Sequence, residues 1–135
     1  MAGIIGGDKP VQAPVDEDDH TTPWTLDQVK KYNGKGPDGK IYISCNGKVF
    51  DVTSSPNYQP GGSYENFGGH DVSIACAHFD TDSKWLDMPY DPENNDLTFS
   101  QSQSLNDYYI GFCQKYRVMG KMIEWTKEVE TKKTE

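Results

Sequence analysis

A chain of 135 residues with 34% hydrophobic residues has room for one core, and no internal repeat divides it. Its formal charge of −8 includes no basic stripe, which excludes recognition of nucleic-acid phosphates and docking on anionic lipid. Cys45, Cys76 and Cys113 are odd in number and lack a CxxC pair. That excludes a disulfide framework or a zinc site and suits small buried residues in a reducing compartment.

Residues 1–23 hold five acids against Lys9 and only scattered apolar residues, so they read as a flexible acidic tail. Their start, MAGIIGG, lacks the basic and apolar regions of a signal peptide, and Ala2 excludes N-myristoylation. No stretch approaches the ~20 apolar residues that span a bilayer. The chain is expected to be soluble and cytoplasmic.

Order is expected from Trp24. Thr25 and Gln28 have capping-box spacing, with Leu26, Val29 and Tyr32 at helical intervals, and Asn33-Gly34 stops the helix. The runs Ile41–Cys45 and Lys48–Val52 flank Asn46-Gly47, the signature of a β-hairpin with a type I′ turn. Residues 54–63 form a loop rich in Pro, Gly and Asn. Residues 71–79 suit a short helix with Val72, Ala75 and Phe79 on one face, and 84–88 a further turn. Ser100 and Gln103 repeat the capping-box spacing ahead of a longer helix, along which Leu105, Tyr109, Phe112 and Tyr116 form an apolar stripe. Val118–Ile123 can return as a strand, and residues 126–135 read as a flexible charged tail. The fold class is α+β, with one domain over residues 24–125 and helices gathered at one end of a small sheet.

The segment from Tyr58 to Asp71 reads YQPGGSYENFGGHD. Two Gly-Gly pairs bracket Tyr64 and Phe67, and glycine lets a backbone approach a flat ligand closely. On the residues alone this is either the lining of a slot or an ordinary loop with its tyrosine hydroxyls in water.

This segment resembles the YxPGGxY…F-G-x-D stretch of the membrane-associated progesterone receptor family, within the cytochrome b5-like haem- or steroid-binding domains. The similarity includes Ile41–Ile43, Gly47–Thr53, Leu105–Asp107, Phe112, Lys115-Tyr116 and Val118–Lys121, and spans about Trp24 to Ile123. It implies a cytochrome b5-like fold with a haem-binding cleft at one end of the sheet. Gln59 stands where cytochrome b5 has the histidine of its HPGG turn, so a bis-histidine electron carrier is not expected. The resemblance makes Tyr64 the axial ligand of ferric haem, supported by Tyr58, Lys115 and Tyr116. A phenol ionises near ~10 when free, a bound cation lowers that value, and tyrosine is a known haem ligand.

The apolar wall is expected from Phe67, Val72, Phe79, Leu105, Tyr109 and Phe112. His70 replaces an arginine usual in the family, and with His78 it is a potential imidazole ligand. The family usually carries an N-terminal membrane anchor. The partners implied are haem, a sterol and cytochrome P450 enzymes, for a monomer that haem can pair into a dimer. The function implied is haem carriage or sensing, or support of P450 partners, with a non-haem sterol or protein-interaction module as the alternative. No catalytic or phosphate-binding motif accompanies it, so an enzyme is not expected.

Overall fold

The computed structural model describes residues 18–123; the segments 1–17 and 124–135, with most of the expected tails, lie outside the described residues. In chain order the elements are β1 (Pro23–Trp24), α1 (Leu26–Lys30), β2 (Tyr42–Cys45), β3 (Lys48–Asp51), α2 (Ser73–His78), α3 (Phe99–Lys115) and β4 (Arg117–Met122). The strands form one sheet in the order β1-β4-β3-β2, antiparallel except for the β1–β4 pair. This α+β arrangement is the expected class.

The hairpin follows from its turn. Asn46 and Gly47 take φ values of 52° and 86°, as a type I′ turn requires, and Cys45 pairs with Lys48. Side-chain alternation then sorts the sheet into two cores. Ile43, Cys45, Phe50 and Val118 face α2 and α3, while Tyr42, Val49 and Met122 face α1 and Trp24. A register shift at Val49/Phe50 sets Phe50 opposite Val118 and Val49 opposite Gly120, keeping each on its own side.

Three expectations need correction. The expected tail does not run to residue 23, because ordered contacts begin upstream of Trp24. The Asp19 N–H donates to the Val118 carbonyl (2.8 Å), the Lys121 N–H to the Thr22 carbonyl (2.8 Å) and the Val118 N–H to the Asp18 carboxylate (3.0 Å). The cap of α3 is Thr98 with Gln101, not Ser100 with Gln103: both halves of the box form at 3.1 and 3.0 Å. The same spacing occurs twice, and the upstream copy starts the helix two residues earlier, at an exposed Phe99. Finally, the 71–79 helix ends at His78, and Phe79 turns out into solvent. Among the described residues no helix is long and apolar enough to cross a membrane.

Candidate ligand-binding cleft

The glycine-flanked loop is a pair of tight 3-10 turns, Pro56–Tyr58 and Glu65–Phe67. Ser55 caps the first by accepting from the Asn57 N–H at 3.3 Å. Gln59, the residue in place of the b5 histidine, donates its side-chain amide to the Thr53 carbonyl at 2.6 Å and so ties down the loop. A Cβ at Gly62 would lie 2.4 Å from the carbonyl oxygens of Pro56 and Asn57, so only glycine lets the turn close. The closed turn fixes Tyr64 at both backbone ends: its N–H donates to Asn57 (2.8 Å) and its carbonyl accepts from Phe67 (2.9 Å). The Tyr64 ring stacks on Phe67 with centroids 5.2 Å apart.

Tyr64 opens onto a cavity of about 210 Å³ lined also by Phe67, Ala75, Cys76, Phe79, Asp80, Thr81 and Tyr108. Phe79 and Tyr108 are shared with a second, more open cavity of about 490 Å³, whose other lining is Ser100, Gln103, Ser104 and Asp107. Tyr108 lines the smaller cavity beside Tyr64, and burial, with Tyr64 and Cys76 beside it, pushes its phenol up to about 12. The phenol beside Tyr64 therefore stays protonated at neutral pH. Beneath the floor, burial, with Cys76 beside it, pushes the Cys45 thiol well up, which keeps it unreactive.

Tyr58, Tyr64, Phe67, Phe112 and Tyr116, all singled out in the sequence, form one chain of rings. Tyr58 lies 5.5 Å from Tyr64 and 6.1 Å from Tyr116, and Phe112 lies 6.0 Å from Tyr116. Tyr58 is buried, and burial, followed by Tyr116, holds its phenol far above the ordinary range, so it can act only as a neutral group. Lys115 stands apart: it is exposed, with Nζ 5.6 Å from the Tyr116 ring centroid, and lines neither cavity.

Of the expected wall, Phe67 and Phe79 line the cleft. Val72, Leu105 and Phe112 are buried in the core behind it. Tyr109 turns instead toward Phe50, 6.1 Å away. Its neighbour Tyr108 takes the cleft position. Sequence reading missed Tyr108, although Tyr108, Phe112 and Tyr116 also recur at +4 and +4.

Both histidines have other work. His70 Nδ1 lies 2.8 Å from the Asp87 carboxylate, which also accepts from the Asp71 N–H at 2.8 Å. His78 stacks on Trp85 at 3.9 Å and 9°. Neither lines the two cavities. Asp71 itself is buried, accepting from the Ser44 hydroxyl (2.7 Å) and the Ser73 N–H (3.0 Å), and desolvation pushes it up to about 6 against those bonds.

This donor set fits a ferric haem. Tyr64 offers a hard oxygen ligand held rigidly in an apolar cleft that is open on one side. Residues 25–114 match the cytochrome b5-like heme/steroid binding domain family. The chain is 36% identical over 118 residues to membrane-associated progesterone receptor component 2 of Homo sapiens, covering 81% of this chain and 52% of that protein. It is 33% identical to "Probable steroid-binding protein 3" of Arabidopsis thaliana, covering 74% and 97% respectively. It is also 33% identical to the cytochrome P450 regulator dap1 of Schizosaccharomyces pombe, covering 74% and 62%. An Arabidopsis thaliana structure of cytochrome b5-like fold superposes with a TM-score of 0.64 at 31% identity, over 78% of this chain and 94% of that one. The chain thus spans about half the length of the progesterone receptor components it matches, and nearly all of the plant relative. With its family motif, fold and cleft in agreement, the chain belongs to the membrane-associated progesterone receptor family of cytochrome b5-like domains.

Proposed function

We propose that this chain is a cytoplasmic binding module, not an enzyme, that holds one ferric haem through the Tyr64 phenol oxygen, for haem carriage or sensing or for support of cytochrome P450 partners. The observation that carries the reading is the placement of Tyr64: its backbone is pinned at both ends and its ring lies on Phe67, in a cavity shared with Phe79 and Tyr108. Such a side chain can hold an oxygen ligand in place without reorganisation. When bound, ferric haem supplies a Lewis-acidic iron for which an anionic oxygen is a suitable partner. Tyr108, protonated and facing the same cavity as Tyr64, can donate a hydrogen bond to the ligating oxygen, while Tyr58 and Tyr116 back Tyr64 from the core side. The dap1 relative supports the P450 role, and that partnership is the physiological setting we favour. The module is a monomer that shared haem can pair into a dimer.

A second reading has its own observation. Among the described residues, Asp80 and Asp107 are the charged ones lining the two cavities, and no described cation stands there to meet a carboxylate. Lys115 lies outside them. That lining favours an uncharged flat ligand such as a sterol.

Titration with haemin, followed at the Soret band and by tryptophan fluorescence, separates the two. Haem binding predicts saturation at one equivalent and an unchanged spectrum in His70→Ala and His78→Ala. It also predicts a reduction potential well below that of a bis-histidine b5, because the site favours Fe³⁺. Absence of saturable haemin binding would transfer the assignment to the sterol reading.

A further inference from the structure

The end of α2 carries a residue that folding does not favour. The Phe79 N–H donates to the Cys76 carbonyl (3.2 Å) and the Asp80 N–H to the Ala75 carbonyl (3.1 Å). This pair of bonds puts Phe79 in the left-handed region, at φ 55° and ψ 46°. A helix terminus of this type favours glycine, because a Cβ in that conformation crowds the following carbonyl. Phe79 has the Cβ and an aromatic ring besides, and burial does not offset the strain, since the residue is 76% exposed. Its ring meets Tyr108 at 6.1 Å, in a tilted arrangement at the surface.

That exposed ring stands at a defined place. Phe79 and Tyr108 form the wall common to both cavities, and the smaller one contains Tyr64 and Phe67. The chain directly after Phe79 is braced twice. Asp80 accepts from the Trp85 indole N–H at 2.9 Å, and Asn66 donates to the Thr81 carbonyl at 2.9 Å. The strained position is therefore built into the fold and does not belong to a loose loop.

We infer that Phe79 is a ligand-positioning residue, whose ring packs against the flat apolar face of a ligand held at Tyr64. This rests on the haem reading above and assigns the outer wall of that same site. Strained backbone retained against folding preference is characteristic of ligand sites, and here the packing of the ring on a bound ligand explains its retention. The ring serves the bound state, and the unliganded fold would be more stable without it.

The test sets stability against affinity in Phe79→Gly, Phe79→Ala and Phe79→Tyr. Phe79→Gly is expected to raise the melting temperature by a few degrees while weakening haemin binding about fivefold or more, the equivalent of losing one aromatic contact. Phe79→Ala should weaken haemin binding similarly without the same rise in melting temperature, and Phe79→Tyr should restore wild-type affinity. An unchanged haemin affinity in Phe79→Gly, or a lowered melting temperature, overturns the inference while leaving Tyr64 ligation standing. Should the wild type bind no haemin, the haem reading fails separately and progesterone titration of the same variants decides. Weaker progesterone binding in Phe79→Gly then supports the role of Phe79, and equal binding, or none by the wild type, overturns it.

Discussion

The two sides of the sheet use aromatic residues in opposite ways. On the α1 side, Tyr32 and Tyr42 stack at 4.3 Å and 5°, and Trp24 caps both edge-on at 5.6 Å. The Trp24 indole N–H donates to the Met119 carbonyl at 3.0 Å, which fixes the capping ring. On the helical side the rings run as a chain from Phe50 through Phe112, Tyr116 and Tyr58 to Tyr64 and Phe67, and the chain ends at a cleft. One cluster closes the α1 side of the sheet. The other grades from core to opening, so the interior rings support those at the surface. Ring content alone does not separate a core from a site; what matters is where the chain of rings stops.

If that contrast is right, the closed side governs stability with little effect on binding. Tyr42→Ala removes a nearly buried ring and should cost about 3–5 kcal/mol in chemical denaturation. Haemin affinity, measured on the remaining folded protein, should hardly change. Equal loss of both would mean the two sides are not separable.

Asp71 lies between the two regions, joined to Ser44 of β2 and Ser73 of α2. Its pKa is raised from 3.8 to about 6, so the folded state holds a proton that the unfolded state releases between those values. The contribution is full below pH ~4 and is lost as pH rises through about 6, a change on the order of 3 kcal/mol for this fully buried group. Urea denaturation across pH 4–7 should therefore show a fall with rising pH that Asp71→Asn flattens. A slope unchanged in Asp71→Asn would assign the titration elsewhere.

Removing residues 1–22 deletes the bonds from Asp18, Asp19 and Thr22 to β4. At about 1 kcal/mol per bond, a loss of roughly 3 kcal/mol is expected, with haemin binding preserved because this strap runs along β4 and lines neither cavity. An unchanged melting temperature would show the strap to be dispensable. The smallest effect belongs to the cap of α1: Thr25→Ala should cost about 1 kcal/mol, again without altering affinity.

What the sequence made legible was whatever a few neighbouring residues decide. Asn46-Gly47 dictates its own turn, and Thr25 with Gln28 its own cap, so both could be read directly. The parallel pairing of Pro23–Trp24 with Lys121–Met122 could not, because it joins segments about a hundred residues apart. At α3 two overlapping capping patterns were present, and only the surrounding loop selects Thr98. Tyr108 and Tyr109 are adjacent, and which of them faces the cleft depends on how α3 lies against α2 and the sheet. Phe79 was read as part of the wall, but its left-handed backbone was hidden for the opposite reason: a phenylalanine at a position that favours glycine contradicts local preference, and such conflicts concentrate at sites of function. Tyr64 was found through its motif, and the tight turn around Gly62 gives the physical reason that the motif has that form.

The central claim, that the open end of this ring chain holds iron through one phenol oxygen, is tested most directly by Tyr64→Phe. The ring and its stack on Phe67 remain, so the melting temperature of the apoprotein should change by no more than a few degrees. On addition of haemin, the wild type should give a high-spin ferric phenolate spectrum, and the variant should lose that spectrum along with most of its affinity. A Tyr64→Phe protein that binds haemin with the wild-type spectrum would contradict tyrosine ligation.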